Sequence, residues 1–155
     1  MDTIRLEEMN EEEYAFYIKD KIARYGEVLA QNMYEAGEEP ASKARKQLAS
    51  LLPEGKGTPK HHLYKIDGNN EVIGYVWLKT DDAKKSAFLY EIYILEEFQS
   101  KGYGTQTMHL IEEWLKERGV HYFKLHVFGS NKGAHKLYEK IGFGVAGYNM
   151  IKSLK

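Results

Sequence analysis

Between residues 87 and 119 the chain runs strand, glycine loop, helix, and this order constrains it more than any other feature. Ala87-Phe88-Leu89-Tyr90-Glu91-Ile92-Tyr93-Ile94-Leu95 is dense in aromatic and β-branched residues, the composition of a strand. From Thr105 the period changes: Met108, Ile111 and Leu115 recur at helical spacing while Glu112, Lys116 and Glu117 point elsewhere, and Gly119 supplies a stop. Between the two lies Gln99-x-x-Gly102-x-Gly104. A strand must therefore hand over to a helix N-terminus through a loop whose glycines remove side chains and permit positive φ. Such a terminus offers unpaired N–H groups and partial positive charge to an anion.

Other nucleotide loops fit poorly. A Walker loop needs Gly-Lys followed by Ser or Thr, and no such run occurs. A dinucleotide fingerprint needs a third glycine three places after Gly104, where Thr107 stands. A second strand–helix unit follows at once. Tyr122-Phe123-Lys124-Leu125-His126-Val127-Phe128 alternates as a strand, and Gly129-Ser130-Asn131 is a turn carrying N-cap residues. Ala134, Leu137, Tyr138 and Ile141 then form an i, i+3, i+4, i+7 stripe with Gly142 as its cap. Periodicity alone places Tyr138 on the buried face, where a plain core tyrosine is the bland reading.

Taken together, Gln99-x-x-Gly102-x-Gly104, Asn131, Tyr138 and Gly142-Phe143 resemble the GNAT family of acyl-CoA N-acyltransferases over roughly Gly74 to Leu154. The resemblance implies a mixed α/β (α+β) fold, with a central, mostly antiparallel, splayed sheet flanked by helices. It implies one domain over 1–155, with a helical acceptor-side segment at 1–60 and an acetyl-CoA-binding core at 74–154. Acetyl-CoA would be the co-substrate: the pantetheine arm pairs with the backbone of Ile92, Tyr93 and Ile94 beside a strand bulge. Gln99, Ser100, Lys101, Gly102, Tyr103, Gly104 and Thr105 hold the pyrophosphate, and Asn131 lies near the pantetheine or thiol. The tyrosine of the N-x6-Y-x3-G-F pattern lies beside the thioester sulfur in the family, which makes Tyr138 the general acid.

The expected reaction is acetyl transfer to a primary amine. A lysine-like amine has a pKa near about 10.4, so only about one molecule in 2,500 is neutral at pH 7, a deficit of roughly 4.6 kcal/mol. A base, a water chain or desolvation must supply part of that. Glu91 and His126 are the two candidate bases. A one-residue slip in register would turn Glu91 to the other face of its strand. The chain has no cysteine, which excludes an acyl-cysteine intermediate and leaves direct attack in a ternary complex.

A net charge of −1 makes no electrostatic case for nucleic acid or membrane partners. The absence of an apolar leader or spanning run points to a cytoplasmic enzyme. His61-His62 are expected on opposite faces of a strand, and His109 with Glu113 lacks a third ligand, so no metal is expected. Upstream, Ile4-Arg5-Leu6 reads as an edge strand. A helix follows, carrying Ile18, Ile22, Tyr25, Leu29 and Met33, then a second helix from about Pro40 to Leu52, and a hairpin around Asp67-Gly68-Asn69-Asn70. Tyr14, Tyr17, Tyr25 and Tyr34 are candidates to wall the acceptor cleft, packing against the sheet being the simpler role for each. A hairpin or turn is expected around Val145-Ala146-Gly147. The acceptor amine, on a small molecule or a protein, is not specified, and a homodimer stays open. A catalytically silent acyl-CoA-binding regulatory module is the alternative to an enzyme, and a purely structural or interaction protein is a third reading.

Overall fold

The computed structural model describes residues 3–32 and 39–154, so Met33 and Tyr34 lie outside the described residues. The chain forms two compact units. One comprises the residues up to Phe16 together with Leu52–His126; the other comprises Tyr17–Leu51 and the residues from Val127 onward.

The first unit is built on a five-stranded sheet in the order β1-β2-β3-β4-β5. The strands are β1 (Ile4–Glu8), β2 (His61–Gly68), β3 (Glu71–Asp81), β4 (Ser86–Ile94) and β5 (Tyr122–Leu125). Neighbours up to β4 are antiparallel, and β5 runs parallel to β4. The β2–β3 turn needs two residues with positive φ, which Asn69 (54°) and Asn70 (64°) supply, the geometry of a tight hairpin. β3 is central and buried on both faces, through Ile73, Val76, Trp77 and Leu78. The helix α3 (Tyr103–Glu117) buries Thr107, Met108, Ile111 and Leu115, the stripe its sequence period required. On its face of the sheet, His62 and Tyr64 meet the Trp114 ring edge-on at 5.2 and 6.1 Å.

The expected strand at Tyr122–Phe128 is shorter than its pattern, ending at Leu125. Its ladder ends at the same level: among the described residues, β5 pairs with β4 from Ser86↔Tyr122 to Leu89↔Leu125 and no further. Alternation alone does not carry a strand beyond the residues that its ladder pairs.

The second unit holds most of α1 (Glu11–Asn32), all of α2 (Pro40–Leu51) and α4 (Lys132–Lys140). In α1 the buried positions are Tyr17, Gly26 and Leu29, while Ile18, Ile22 and Tyr25 are half-buried. The stripe is rotated from the expected one because Gly26 is the contact point: a Cβ there would stand 3.3 Å from the backbone of Ala41. The second helix stops at Leu51, one residue short of expectation. In α4 the Ala134, Leu137, Tyr138 and Ile141 stripe is the least exposed side, yet none of it is fully buried. Residues 143–154 carry no helix or strand, so no hairpin forms around Val145-Ala146-Gly147. Gly144 and Gly147 interrupt that run with residues that disfavour strands.

Candidate active site

The sheet is interrupted at one place that matters for chemistry. Trp77 pairs with Glu91 but Leu78 pairs with Leu89, so Tyr90 is an extra residue, a β-bulge in β4. Pairing with β5 ends at that level. Among the described residues, no strand lies beside Tyr90–Ile94 on that side.

The ladder also decides which backbone groups face the opening. Leu95 donates its N–H to the Ile73 carbonyl at 2.9 Å. Antiparallel alternation then turns the Tyr93 backbone toward β3 and the backbones of Ile92 and Ile94 away from it. Of the three residues expected to offer backbone groups to an extended ligand, Tyr93 therefore does not face the open side. The Ile94 carbonyl already accepts a bond from Gln99 Nε2 at 2.8 Å. Gln99 thus ties the end of β4 to the start of the glycine loop, a role distinct from the expected phosphate contact.

Beyond a 3-10 turn at Glu96–Phe98, Ser100 and Gly102 take positive φ of 62° and 85°. Gly102 occupies the N-cap position of α3 and makes no side-chain cap. Gln106 is the first amide to close a helical bond, to the Gly102 carbonyl at 3.1 Å. The helix itself provides no carbonyl for the amides of Gly104 and Thr105, which leaves them directed at whatever sits above the helix start. Lys101 lies with its Nζ 5.9 Å from the centre of the Phe98 ring, on the surface of the loop.

The candidate base gains its orientation from the bulge. Residues directly opposite in a ladder share a face, so Glu91 lies on the face of Trp77, whereas Leu89, opposite Leu78, lies on the other. On the Trp77 face the Tyr90 ring stacks on Trp77 at 4.6 Å and 22°, with Phe88 at 4.8 Å from Tyr90. Trp77 Nε1 donates to His61 Nδ1 at 2.9 Å, and the His61 ring lies 5.7 Å from Tyr90. Burial, helped by the nearby Lys79 and His62, pushes His61 down to about 4. His62 faces the other way, bonded to Thr80 at 3.0 Å. His126 follows the last residue of β5.

In the second unit, Asn131 caps α4: its Oδ1 accepts from the Ala134 N–H at 3.1 Å. The turn before it is held from α1, where Asn32 donates to Ser130 Oγ at 2.9 Å and accepts from the Ser130 N–H at 3.1 Å. Tyr138 follows two turns into the helix, half-buried, with its ring edge-on to Phe143 at 5.7 Å. The Phe143 N–H returns to the Tyr138 carbonyl at 2.9 Å, across Gly142 with φ of 110°. Glycine at 142 is thus a backbone requirement for bringing Phe143 back onto the tyrosine.

Neither the bulge residue Tyr90, nor the His61–Trp77 pair, nor Asn32 stands out in the sequence reading. One signal was present: the aliphatic positions run Ala87, Leu89, then Ile92, Ile94, and a change from odd to even numbers demands one extra residue between them. The aromatic residues Phe88, Tyr90 and Tyr93 mask it.

A strand bulged beside its last ladder bond, an uncapped glycine-led helix start, and an Asn–Tyr–Gly–Phe helix define a GNAT acetyltransferase. The chain belongs to that family: residues 27–143 match the model of the acetyltransferase (GNAT) family. It is 30% identical to the uncharacterised N-acetyltransferase YycN of Bacillus subtilis (strain 168), over 98% of this chain and 99% of that protein. The crystal structure of YycN has a TM-score of 0.93 to this chain at 29% identity, covering 99% of each. The ribosomal protein bS18-alanine N-acetyltransferase of Haemophilus influenzae is 37% identical over 63% of this chain and 68% of its own. The protein is accordingly an N-acetyltransferase of the class that uses acyl-CoA donors and amine acceptors. Among the described residues no helix is long and apolar enough to cross a membrane, and no cluster of three or more His, Asp or Glu is placed to hold a metal.

Proposed function

We propose that the protein moves an acetyl group from acetyl-CoA to a primary amine by direct attack in a ternary complex. The observation that carries this reading is the bulge at Tyr90, with β4–β5 pairing ending at Leu89. It leaves the outward backbone of Ile92 and the Ile94 N–H for an extended pantetheine arm to pair with, a form of strand addition. The positive-φ loop through Ser100 and Gly102 and the amides of Gly104 and Thr105 suit the pyrophosphate.

The amine nitrogen attacks the thioester carbonyl, the C–S bond breaks, and the amine loses a proton. Glu91 takes that proton, directly or through a water, because its side chain leaves β4 on the Trp77 face at the bulge; His126 is the second candidate. Tyr138 gives its hydroxyl proton to the departing CoA thiolate, a role that follows the family pattern Asn131-x6-Tyr138-x3-Gly142-Phe143. Asn131 serves that role by capping the helix that carries Tyr138. Acetyl-CoA-dependent thiol release over an amine panel tests the reading. Release that requires an amine, and falls about 10²-fold or more in Tyr138→Phe while calorimetric acetyl-CoA binding persists, supports it. Tight acetyl-CoA binding with no release for any amine favours the silent acyl-CoA-binding module instead.

A further inference from the structure

The Trp77 face of the sheet carries a group that the acetyl-transfer chemistry leaves unused. Trp77 is buried, so its indole N–H needs an acceptor, and His61 Nδ1 provides it at 2.9 Å. A neutral imidazole has one acceptor nitrogen and one N–H, so this bond fixes the remaining proton on Nε2. The ring is half-buried, and its pKa is pushed to about 4 chiefly by burial, so near neutrality it stays in that form. His61 therefore cannot serve as a base toward an amine, since the only basic nitrogen is engaged. It can only donate. Among the described residues nothing accepts from Nε2–H.

The surroundings select what such a donor can meet. Tyr90, stacked on Trp77, lies 5.7 Å from His61 and presents a flat wall at the bulge, with Phe88 beyond it. Lys79 stands directly across the ladder from His61, on the same face, and its cation helps to hold the imidazole neutral. A second ammonium, as in a polyamine, would meet the like charge of Lys79 beside His61. A planar carbonyl would find an N–H donor and an aromatic face together.

We propose that His61 and Tyr90 form an acceptor subsite for an amide carbonyl, so that the preferred amine stands next to a peptide-like C=O. This rests on the acetyl-transfer reading, in which Glu91 on the same face takes the amine proton.

The test compares kcat/KM for glycinamide with that for propylamine in wild type, His61→Phe and His61→Gln, with calorimetric acetyl-CoA affinity as the folding control. The glycinamide-to-propylamine ratio, set against the wild-type ratio, falls about tenfold in His61→Phe, the worth of one hydrogen bond. It recovers in His61→Gln, whose amide oxygen can accept from Trp77 while its NH2 donates. Equal losses for both amines, or the same ratio in both variants, overturn the subsite. Wild-type protein that binds acetyl-CoA but acetylates neither these amines nor any other overturns the acetyl-transfer reading and this inference with it. Transfer to propylamine whose ratio to glycinamide is unmoved by His61→Phe overturns this inference alone.

Discussion

Glu91 stands directly across the ladder from Trp77, while Leu89, two residues earlier, stands across from Leu78 on the opposite face of the sheet. In a regular strand, positions two apart share a face. The extra residue Tyr90 reverses that parity and brings the carboxylate to the side where Trp77, Tyr90 and His61 gather. On the proposed reading, Glu91→Gln should lower kcat/KM for the amine by about 10²-fold. His126→Ala should cost less. If His126→Ala shows the larger loss and Glu91→Gln is mild, the proton goes to His126.

Gly74 has a packing reason to be glycine that is independent of φ. A Cβ there would stand 2.2 Å from the Tyr93 carbonyl oxygen and 3.1 Å from Ile94 Cα, both backbone atoms that cannot swing aside. Gly74→Ala should therefore push β3 from β4 at the bulge end and destabilise the protein by about 2–3 kcal/mol, read by denaturant unfolding. Acetyl-CoA affinity should weaken as well, because Ile94 is one of the outward backbone positions.

Asn32 holds the turn that starts α4 through two bonds to Ser130, as donor to its Oγ and acceptor from its N–H. The Asn32→Ala variant should lose about 1–2 kcal/mol of stability. Its kcat should fall more than its acetyl-CoA Kd changes, because the helix it steadies carries Tyr138. An unchanged kcat would show that the turn holds its position without α1.

The paired histidines predict a pH dependence of stability. His61 is lowered from 6.5 to about 4, first by burial and then by Lys79 and His62; His62 is also lowered, first by burial and then by Arg118. Both groups gain protons more readily when unfolded. Their contribution is fully present above pH 6.5, the unfolded value, and for His61 it is lost as pH falls through the window down to about 4. Urea midpoints should drop across that range, and the drop should be shallower in His61→Gln, which has no ring to protonate.

The strand–loop–helix order from Ala87 to Gly119, the Asn69-Asn70 turn and the α3 stripe were legible in the chain because each depends on local φ preferences and on a single period. The Gln99-x-x-Gly102-x-Gly104 and Asn131-x6-Tyr138-x3-Gly142-Phe143 patterns marked the family for the same reason: helix starts, caps and tight returns are made by neighbouring residues. What the sequence could not show was set by pairing. The bulge at Tyr90 decides where Glu91 points and which of Ile92, Tyr93 and Ile94 face outward. Pairing with β4 also decides where β5 ends, and the close approach of Gly26 to Ala41 decides which side of α1 is buried. Asn32 reaches Ser130 across 98 residues of sequence, and Trp77 reaches His61 across a strand pair. The sequence by itself therefore determined the class of protein and the local devices that turn the chain and start a helix. Only the tertiary structure decided which side chains share a face, because one inserted residue in a period-2 strand inverts every position after it.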